Sequence, residues 1–317
     1  MIIGGAGFIG SNFVEHLISQ GNYVVVYDNL LSGKKEFISH HFSNRNFEYI
    51  EDNVGNWEKY KTRFGEIDIL IHLASNADIA AAIKDPTIDF YQGTLLTQQV
   101  AELARICKIP KILYASGSGV YGDQGRQKLS EDFSQLRPIS PYGSSKLAGE
   151  AILSSYSYLF GIKVCCFRFA NVVGRNQTHG VGLDFLRNLL LDSSELKILG
   201  DGNQSKSYIH VTDLIDAVLF ASDKTASIFD IYNVTNDDQI SVRDIAGLCL
   251  KILNLNKLQV RLNFGSGDRG WAGDVPIVIL DSNKLKELGW KYKWNSIQSM
   301  ELALESISQD LKSKKNQ

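Results

Sequence analysis

Short apolar runs rich in β-branched residues recur through the first half of the chain and alternate with segments of helical length. The runs are Met1–Ile3, Tyr23–Tyr27, Phe47–Ile50, Ile67–Leu73, Lys111–Ala115 and Lys163–Phe169. In the segments between them, apolar residues recur on one helical stripe, as at Val100, Leu103, Ala104 and Cys107. Near-continuous apolar strands that alternate with helices are typical of a parallel sheet covered on both faces. The sequence therefore predicts an α/β fold with a doubly wound parallel sheet.

The character of the sequence changes after Val173, where Gly, Asn, Gln and Thr become dense in stretches such as "VVGRNQTHGVG" and "LGDGNQSKSY". Amphipathic helices and short strands then alternate less regularly. We predict a smaller C-terminal α/β domain that binds the substrate over the carboxyl ends of the strands, where open α/β sheets bind ligands. The predicted bounds are 1–172, with about 208–236 returning to it, for the first domain and 173–207 with 237–317 for the second.

The overall composition argues against several classes of partner. The chain has 317 residues, of which 44% are hydrophobic, and its formal net charge is −2. This balance does not favour nucleic acid or a membrane surface, and the apolar runs are shorter than the roughly 20 residues of a spanning helix. The four cysteines lack C-x-x-C spacing, so we expect reduced core thiols and no metal site. Because the chain opens without a signal-peptide pattern, we predict a cytoplasmic protein.

A glycine series follows the first apolar run and precedes the first helical segment. In "IIGGAGFIGSNFVEHL", Gly4, Gly7 and Gly10 are the glycines of a Rossmann-type turn, which brings backbone N–H groups and a helix N-terminus to a pyrophosphate. The second strand ends in Asp28, 18 residues after Gly10, where a carboxylate accepts the ribose hydroxyls and favours NAD over NADP. The lysines at 34–35 weaken that preference. The alternative is a glycine-rich turn that binds nothing.

A second pattern combines a helix start with a tyrosine and a lysine one turn apart. Ser140 is a predicted N-cap, Pro141 suits the first helical position, and Gly161 is a plausible stop. Tyr142 and Lys146 then share one helix face. A nearby ammonium favours phenolate, so we expect the pKa of Tyr142 to lie below its ordinary value of about 10. Such a tyrosine can take a proton from a sugar hydroxyl, although an isolated Tyr-x-x-x-Lys pattern is more often a surface pair.

Several motifs extend these two patterns along the chain. In order, they are Gly4-x-x-Gly7-x-x-Gly10, Asp28-Asn29-Leu30, "HLAS" at 72–75, "SGVYG" at 118–122, "SPYGSSKLAGE", "RFANVVG" and "GDGNQSKSYIHVTD". Together they resemble the extended short-chain dehydrogenase/reductase family, and within it the NAD-dependent nucleotide-sugar epimerases and dehydratases, most closely those similar to UDP-hexose 4-epimerases. The resemblance covers nearly the whole chain and is more specific for the family than for the substrate.

The resemblance implies a role for individual residues. Tyr142 would be the catalytic base and acid, and Lys146 would hold the nicotinamide ribose and tune Tyr142. The implied cofactor-binding residues are Gly4, Gly7, Phe8, Ile9, Gly10, Asp28, Asn29, Asn53, Val54, Leu73, Ala74, Ser75, Tyr142 and Lys146. The implied substrate-binding residues are Ser116, Ser118, Asn171, His179, Gly180, Val181, Lys206, Arg269 and Asp274. Lys206 and Arg269 also offer donors to an anionic ligand, the alternative being solvated loop charges.

Three positions depart from the family pattern. Asn53 stands where relatives usually carry an aspartate near the adenine, and Phe90 stands where many carry an asparagine. Gly117 stands where relatives place a catalytic serine or threonine. Ser116 and Ser118 flank it, and the alternation of a regular strand would turn both away from the substrate. We expect the glycines beside Ser118 to let the backbone present its hydroxyl, so that Ser118 is the predicted catalytic substitute for the missing hydroxyl at Gly117, with a water in the gap as the alternative.

The reaction implied by the resemblance is nucleotide-sugar 4-epimerisation through a transient 4-keto sugar, on a substrate that is UDP-linked, such as UDP-glucose or an N-acetyl analogue. A dehydratase, decarboxylase or reductase of the same family is the nearest alternative. Dehydratases typically carry an Asp–Glu pair where this chain has Ser118 and Gly119. A non-catalytic NAD-binding protein is the alternative from another class. The resemblance also implies a homodimer through the segments 94–107 and 142–160.

Overall fold

The computed structural model describes residues 1–256, 258–267 and 275–315. Its strands are β1 (Ile2–Ile3), β2 (Val24–Asp28), β3 (Phe47–Glu51), β4 (Leu70–His72), β5 (Lys111–Gly117), β6 (Lys128–Leu129), β7 (Lys163–Phe169), β8 (Asn171–Val173), β9 (Glu195–Ile198), β10 (Ser205–Lys206), β11 (Tyr208–His210), β12 (Phe229–Val234), β13 (Ile240–Ser241), β14 (Arg261–Phe264) and β15 (Ile277–Leu280). The α-helices are α1 (Phe8–Ser19), α2 (Leu96–Ile106), α3 (Pro141–Phe160), α4 (Val181–Leu191), α5 (Val211–Lys224), α6 (Val242–Ile252), α7 (Asn283–Glu287) and α8 (Ser296–Lys315).

Seven strands form the main sheet, in the order β12-β7-β5-β4-β1-β2-β3. The pairs β1–β2, β1–β4, β2–β3, β4–β5 and β5–β7 are all parallel. The strand order reverses between β1 and β4, which is the switch point at which doubly wound sheets bind ligands. The prediction of a doubly wound, Rossmann-like α/β fold is therefore confirmed.

The chain divides into two compact units. The first comprises Met1–Gly122, Ser134–Phe169 and Val218–Tyr232, and the second comprises Asp123–Phe133, Ala170–Ala217 and Asn233–Gln317. The segments 123–133, 170–172, 208–217 and 233–236 thus cluster with the second unit, whereas the sequence suggested the first domain for all four.

Each unit has its own apolar core. In the first, fully buried side chains such as Ile3, Tyr27 and Leu70 pack beneath α2 residues that include Val100 and Leu103. The second has a four-stranded sheet, β13-β10-β15-β6, and two two-stranded sheets, and its helices α4, α6 and α8 pack on one another. The four cysteines, all within the described residues, form no disulfide, and three of them are buried while Cys107 is half-buried. Within the described ranges, no helix combines the length and the apolar character needed to cross a bilayer.

Candidate active site

The glycine turn between β1 and α1 is built so tightly that side chains are excluded. A Cβ on Gly10 would lie 2.1 Å from the carbonyl oxygen of Gly4, and Gly4 itself has a φ of +84°. Gly7 caps α1 without a side-chain hydrogen bond, so no side chain occupies the first N–H groups of the helix. Phe8 and Ile9 open this helix. This backbone cradle fits the pyrophosphate of a dinucleotide, because the helix N-terminus offers both N–H donors and a positive dipole.

The carboxylate of Asp28 ties the end of β2 to the glycine turn. Its Oδ2 accepts the N–H of Ala6 at 2.9 Å, and its Oδ1 accepts the N–H of Leu30 at 2.8 Å. Burial raises the pKa of Asp28, and these two N–H donors oppose the rise. A carboxylate has about four lone-pair sites, so it retains capacity for the hydroxyls of a ribose.

The ends of β2 and β3 bring the other predicted adenosine-side residues together. Asn29 donates from Nδ2 to Oδ1 of Asn53 at 2.6 Å. The carbonyl of Asn53 accepts the hydroxyl of Tyr27 at 2.8 Å, and the buried Val54 begins a 3₁₀ helix that runs to Arg63. Four of the predicted cofactor residues (Asp28, Asn29, Asn53 and Val54) therefore lie at one edge of the sheet.

The segment after β4 lies directly against the glycine turn. The N–H groups of Leu73 and Ala74 both donate to the carbonyl of Ile3, at 2.9 and 3.1 Å. A Cβ on Gly4 would meet the backbone nitrogen of Ala74 at 2.7 Å. Ser75 follows as a half-buried residue, and its side chain acts to lower the pKa of Tyr142.

The helix that carries the tyrosine and the lysine begins and ends as its sequence predicts. The Ser140 hydroxyl accepts the N–H of Gly143 at 3.1 Å, Pro141 occupies the first turn, and Gly161 ends the helix in a left-handed conformation with φ 72°. Tyr142 and Lys146 consequently lie one turn apart on α3.

The ammonium of Lys146 is buried between aromatic rings. Lys146 is 3% exposed, and its Nζ donates to the carbonyl of Ala115 on β5 at 2.8 Å. The same Nζ lies 5.4 Å from the ring centroid of Tyr142 and 5.3 Å from that of Tyr114. Strand β5 therefore fixes the lysine, and the lysine contacts the tyrosine ring.

The expectation of a lowered tyrosine pKa is wrong for this structure. Desolvation raises the pKa of Tyr142 to about 12, with the Ser75 side chain opposing the rise and the charge of Asp89 adding to it. Desolvation also lowers the pKa of Lys146 to about 8, which Asp89 partly offsets. The sequence places the ammonium beside the ring, but burial of the phenol outweighs that proximity because a phenolate loses its hydration.

Ser116 and Ser118, on either side of Gly117, lie at the end of β5. Gly117 is extended, with φ −163°, and a Cβ built on it meets no heavy atom within 4 Å. Ser118 is half-buried and begins a 3₁₀ turn that runs to Tyr121. The prediction that Ser116 contacts the substrate does not fit its position, because Ser116 is 3% exposed and its hydroxyl donates to Oε1 of Glu150 at 2.6 Å.

Asp89 is a buried acid that the sequence analysis missed. It is 1% exposed, and its Oδ1 accepts Nδ2 of Asn76 at 3.1 Å, while Oδ2 has no hydrogen-bond partner within the described part of the chain. Its charge acts on both Tyr142 and Lys146. The departure from the family pattern at the adjacent Phe90, where a π-helical turn begins, is the sequence signal that could have drawn attention to it.

The predicted substrate residues of the second unit lie on several of its elements. Asn171 is the exposed first residue of β8, and its Nδ2 donates to the carbonyl of Ser207 at 3.4 Å. His179 is exposed, and Gly180 caps α4, which begins at Val181, with φ 117°. Lys206 is half-buried on β10. The remaining two, Arg269 and Asp274, lie outside the described residues.

Known proteins resemble this chain in sequence. The sequence profile of the NAD dependent epimerase/dehydratase family matches residues 1–235. A putative UDP-glucose 4-epimerase of Methanocaldococcus jannaschii is 30% identical over 297 residues, which are 92% of this chain and 92% of the relative.

Two solved structures extend the comparison to the fold. The UDP-glucose 4-epimerase of Thermotoga maritima, determined with UDP-glucose, is 30% identical with a TM-score of 0.86 and covers 98% of each chain. The UDP-glucose 4-epimerase of Thermus thermophilus, determined with NAD, is 27% identical with a TM-score of 0.83 and covers 96% of this chain and 97% of the other. The family match and the identity across nearly the whole chain establish that this protein belongs to the NAD-dependent epimerase/dehydratase family.

Proposed function

We propose that this protein is a nucleotide-sugar 4-epimerase that acts on a UDP-linked hexose. The observation that carries the proposal is the Tyr142–Lys146 pair on α3, beside the end of β5. Relatives that span nearly the whole chain at 30% identity are named as UDP-glucose 4-epimerases, which supports the substrate class.

Residues of the chain divide the work of such a reaction. When bound, NAD would supply reversible hydride transfer at C4 of the sugar. Tyr142 would take the proton of the C4 hydroxyl and give it back, since a phenol in contact with the reacting hydroxyl acts as base and then acid. Lys146 would hold the nicotinamide ribose, and the glycine turn would hold the pyrophosphate.

A Tyr142 pKa near 12 leaves the phenol protonated at neutral pH in the protein without its ligands. The proton must therefore leave once the site is filled. A positive charge next to the phenol favours phenolate, and Lys146 lies close enough to supply part of that charge. The apparent pKa of turnover is thus expected to fall well below that of the ligand-free protein.

The nearest alternative, a 4,6-dehydratase, needs an acid and a base to remove water from the 4-keto sugar. Ser118 and Gly119 stand at the two positions that would supply them. A serine hydroxyl and a glycine cannot replace a carboxylic acid and a carboxylate at these positions, so the site favours epimerisation.

Incubation of the NAD-loaded protein with UDP-glucose, UDP-N-acetylglucosamine and their 4-epimers, followed by NMR, tests the proposal. Interconversion of one pair is expected, and Tyr142→Phe should abolish it while NAD stays bound. A new C6 methyl signal would instead identify a dehydratase, and NAD binding without any conversion would contradict the epimerase proposal.

We also propose that the chain forms a homodimer through α2 and α3. Large apolar side chains are exposed in the residues that lead into α2 and at the end of α3, and exposed apolar surface of this kind marks contacts between chains when it is contiguous. Tyr91 is 60% exposed ahead of α2, and Tyr158 and Leu159 are 71% and 75% exposed at the end of α3. Sedimentation equilibrium tests the proposal, and a monomer at micromolar concentration would contradict it.

A further inference from the structure

Two consecutive histidines and a glutamate of α1 form a compact group at the surface of the first unit. Nε2 of His40 lies 2.9 Å from Oε2 of Glu15, and Nε2 of His41 lies 3.1 Å from the same oxygen. Glu15 precedes the two histidines by 25 and 26 residues, so the fold brings the three side chains together. The expectation of no metal site came from the spacing of the cysteines, and this group contains none of them.

The two nitrogens and the carboxylate oxygen converge at a spacing that a single metal ion can bridge. All three atoms lie within 4.8 Å of one another. Zinc binds histidine nitrogen at about 2.0–2.1 Å and carboxylate oxygen at about 2.0–2.2 Å, so its tetrahedral ligands stand roughly 3.3 Å apart. The two nitrogen–oxygen distances are already close to that value, and a rotation of the exposed His40 ring can adjust the distance between the nitrogens.

His41 is held in place, whereas the other two side chains can adjust. His41 is 8% exposed, its ring packs against that of Phe47 at a centroid distance of 5.7 Å, and its N–H donates to the carbonyl of Ile38 at 3.0 Å. The side chains of His40 and Glu15 are 51% and 56% exposed. One buried imidazole beside two solvent-facing ligands leaves a further coordination position open to water, as in zinc sites with three protein ligands.

The chemistry of the group favours a transition-metal ion over a purely ionic arrangement. Two protonated imidazoles would repel each other here, because the ring centroids of His40 and His41 are 4.0 Å apart. A metal ion that takes lone pairs from two neutral rings and one carboxylate avoids that repulsion. Imidazole with carboxylate suits zinc and its neighbours in the first transition row, whereas Mg²⁺ prefers a shell of oxygen ligands.

We propose that Glu15, His40 and His41 form a binding site for a divalent transition-metal ion of the Zn²⁺ class. The bound ion ties the turn at 39–41 to α1. The segment that leads into this turn also contacts the glycine turn, since the N–H of Lys34 donates to the carbonyl of Ala6 at 2.8 Å. The ion therefore acts as a structural clip, and it is independent of the proposed function because none of its three ligands takes part in that reaction.

Calorimetric titration with Zn²⁺ tests the site in the full-length protein, stripped of metal by a chelator and free of any purification tag. The wild type should bind one Zn²⁺ per chain more tightly than Mg²⁺. Glu15→Gln and His40→Ala, both at exposed positions, should each weaken Zn²⁺ binding by at least about 10-fold, because even the loss of an outer partner of a metal ligand costs that much. His16→Ala is the matched control, since His16 follows Glu15 on α1 but lies outside the group.

Thermal unfolding tests the clip. Zn²⁺ at about 100-fold over its Kd should raise the Tm of the wild type and of His16→Ala by about 5 °C, because the ion binds the folded chain, and should leave Glu15→Gln nearly unchanged. No Zn²⁺ binding by the wild type, or equal affinity for Mg²⁺, would overturn the site. Zn²⁺ binding of the same strength in Glu15→Gln and His40→Ala would place the ion elsewhere and overturn it too, and an unchanged Tm at saturation would overturn the clip.

Discussion

The buried ion pair between Arg168 and Glu150, next to the end of β5, leads to the most specific prediction about stability. Arg168 and Glu150 are 2% and 4% exposed, and the guanidinium meets the carboxylate with two hydrogen bonds, Nε to Oε1 at 2.9 Å and Nη2 to Oε2 at 2.7 Å. Nη1 of Arg168 also donates to the hydroxyl of Tyr121 at 3.0 Å, and Ser116 donates to Oε1 of Glu150. The pair therefore joins β7, α3 and both ends of the segment that carries Gly117.

Arg168→Met should destabilise the protein by about 3–5 kcal/mol, because it leaves a carboxylate buried without its countercharge. For a domain of this size, that corresponds to a fall of roughly 6–20 °C in Tm. The assay is thermal and urea unfolding followed by circular dichroism.

Arg105→Met is the matched control. Arg105 also pairs with a glutamate, Glu102, at 2.8 Å, but these side chains are 34% and 35% exposed. An ion pair as exposed as this contributes about 0–1 kcal/mol. A loss of unfolding free energy in Arg168→Met no larger than that in Arg105→Met would refute the reasoning. The double variant Arg168→Met/Glu150→Leu should recover much of the loss, because it removes both buried charges. A double variant no more stable than Arg168→Met would also refute it.

Three further predictions concern the turn, the pH response and the assembly. Gly10→Ala should abolish NAD binding, measured by calorimetry, because its Cβ would lie 2.1 Å from a backbone oxygen. Gly65→Ala is the control and should bind NAD normally, because a Cβ there meets no heavy atom within 4 Å. Equal binding by the two variants would contradict the close approach at Gly10. Burial lowers the pKa of His72 from 6.5 to about 3, so His72 stays neutral in the folded protein over this range. The unfolded chain binds a proton there that the folded protein does not, so the free energy of unfolding should fall as the pH drops from 6.5 towards 3. His72 contributes about 1.4 kcal/mol per pH unit to the slope of the free energy of unfolding against pH. Urea unfolding of His72→Gln, measured at a series of pH values, should show a slope that is smaller by that amount. Leu159→Glu, at a position 75% exposed, should convert a dimer to a monomer in sedimentation, and an unchanged mass would place the interface elsewhere.

Local patterns in the sequence were enough to predict strands of the main sheet, the ends of α3 and the glycine turn. The apolar runs predicted six of the seven strands of the main sheet to within a few residues, because strand-forming side chains and their spacing act over short distances. The seventh strand, β12, was not among the predicted runs. The cap at Ser140 and the stop at Gly161 are likewise confirmed, since each depends on the backbone within one helical turn. The glycine series indicated the turn because close packing there leaves no room for a Cβ.

The chemistry around Tyr142 was decided by tertiary structure. The sequence placed Lys146 one turn from Tyr142, but the sign of the pKa shift depends on how deeply the fold buries the phenol, which spacing does not contain. Asp89 and Ser75 reach the pair from other elements because strand order sets which segment ends meet at the sheet edge. Ser116 turns to Glu150, 34 residues away, for the same reason. The sequence alone thus determined the elements, the glycine turn and the Tyr142–Lys146 spacing, whereas burial and the adjacency of β4 and β5 decided which groups act on Tyr142.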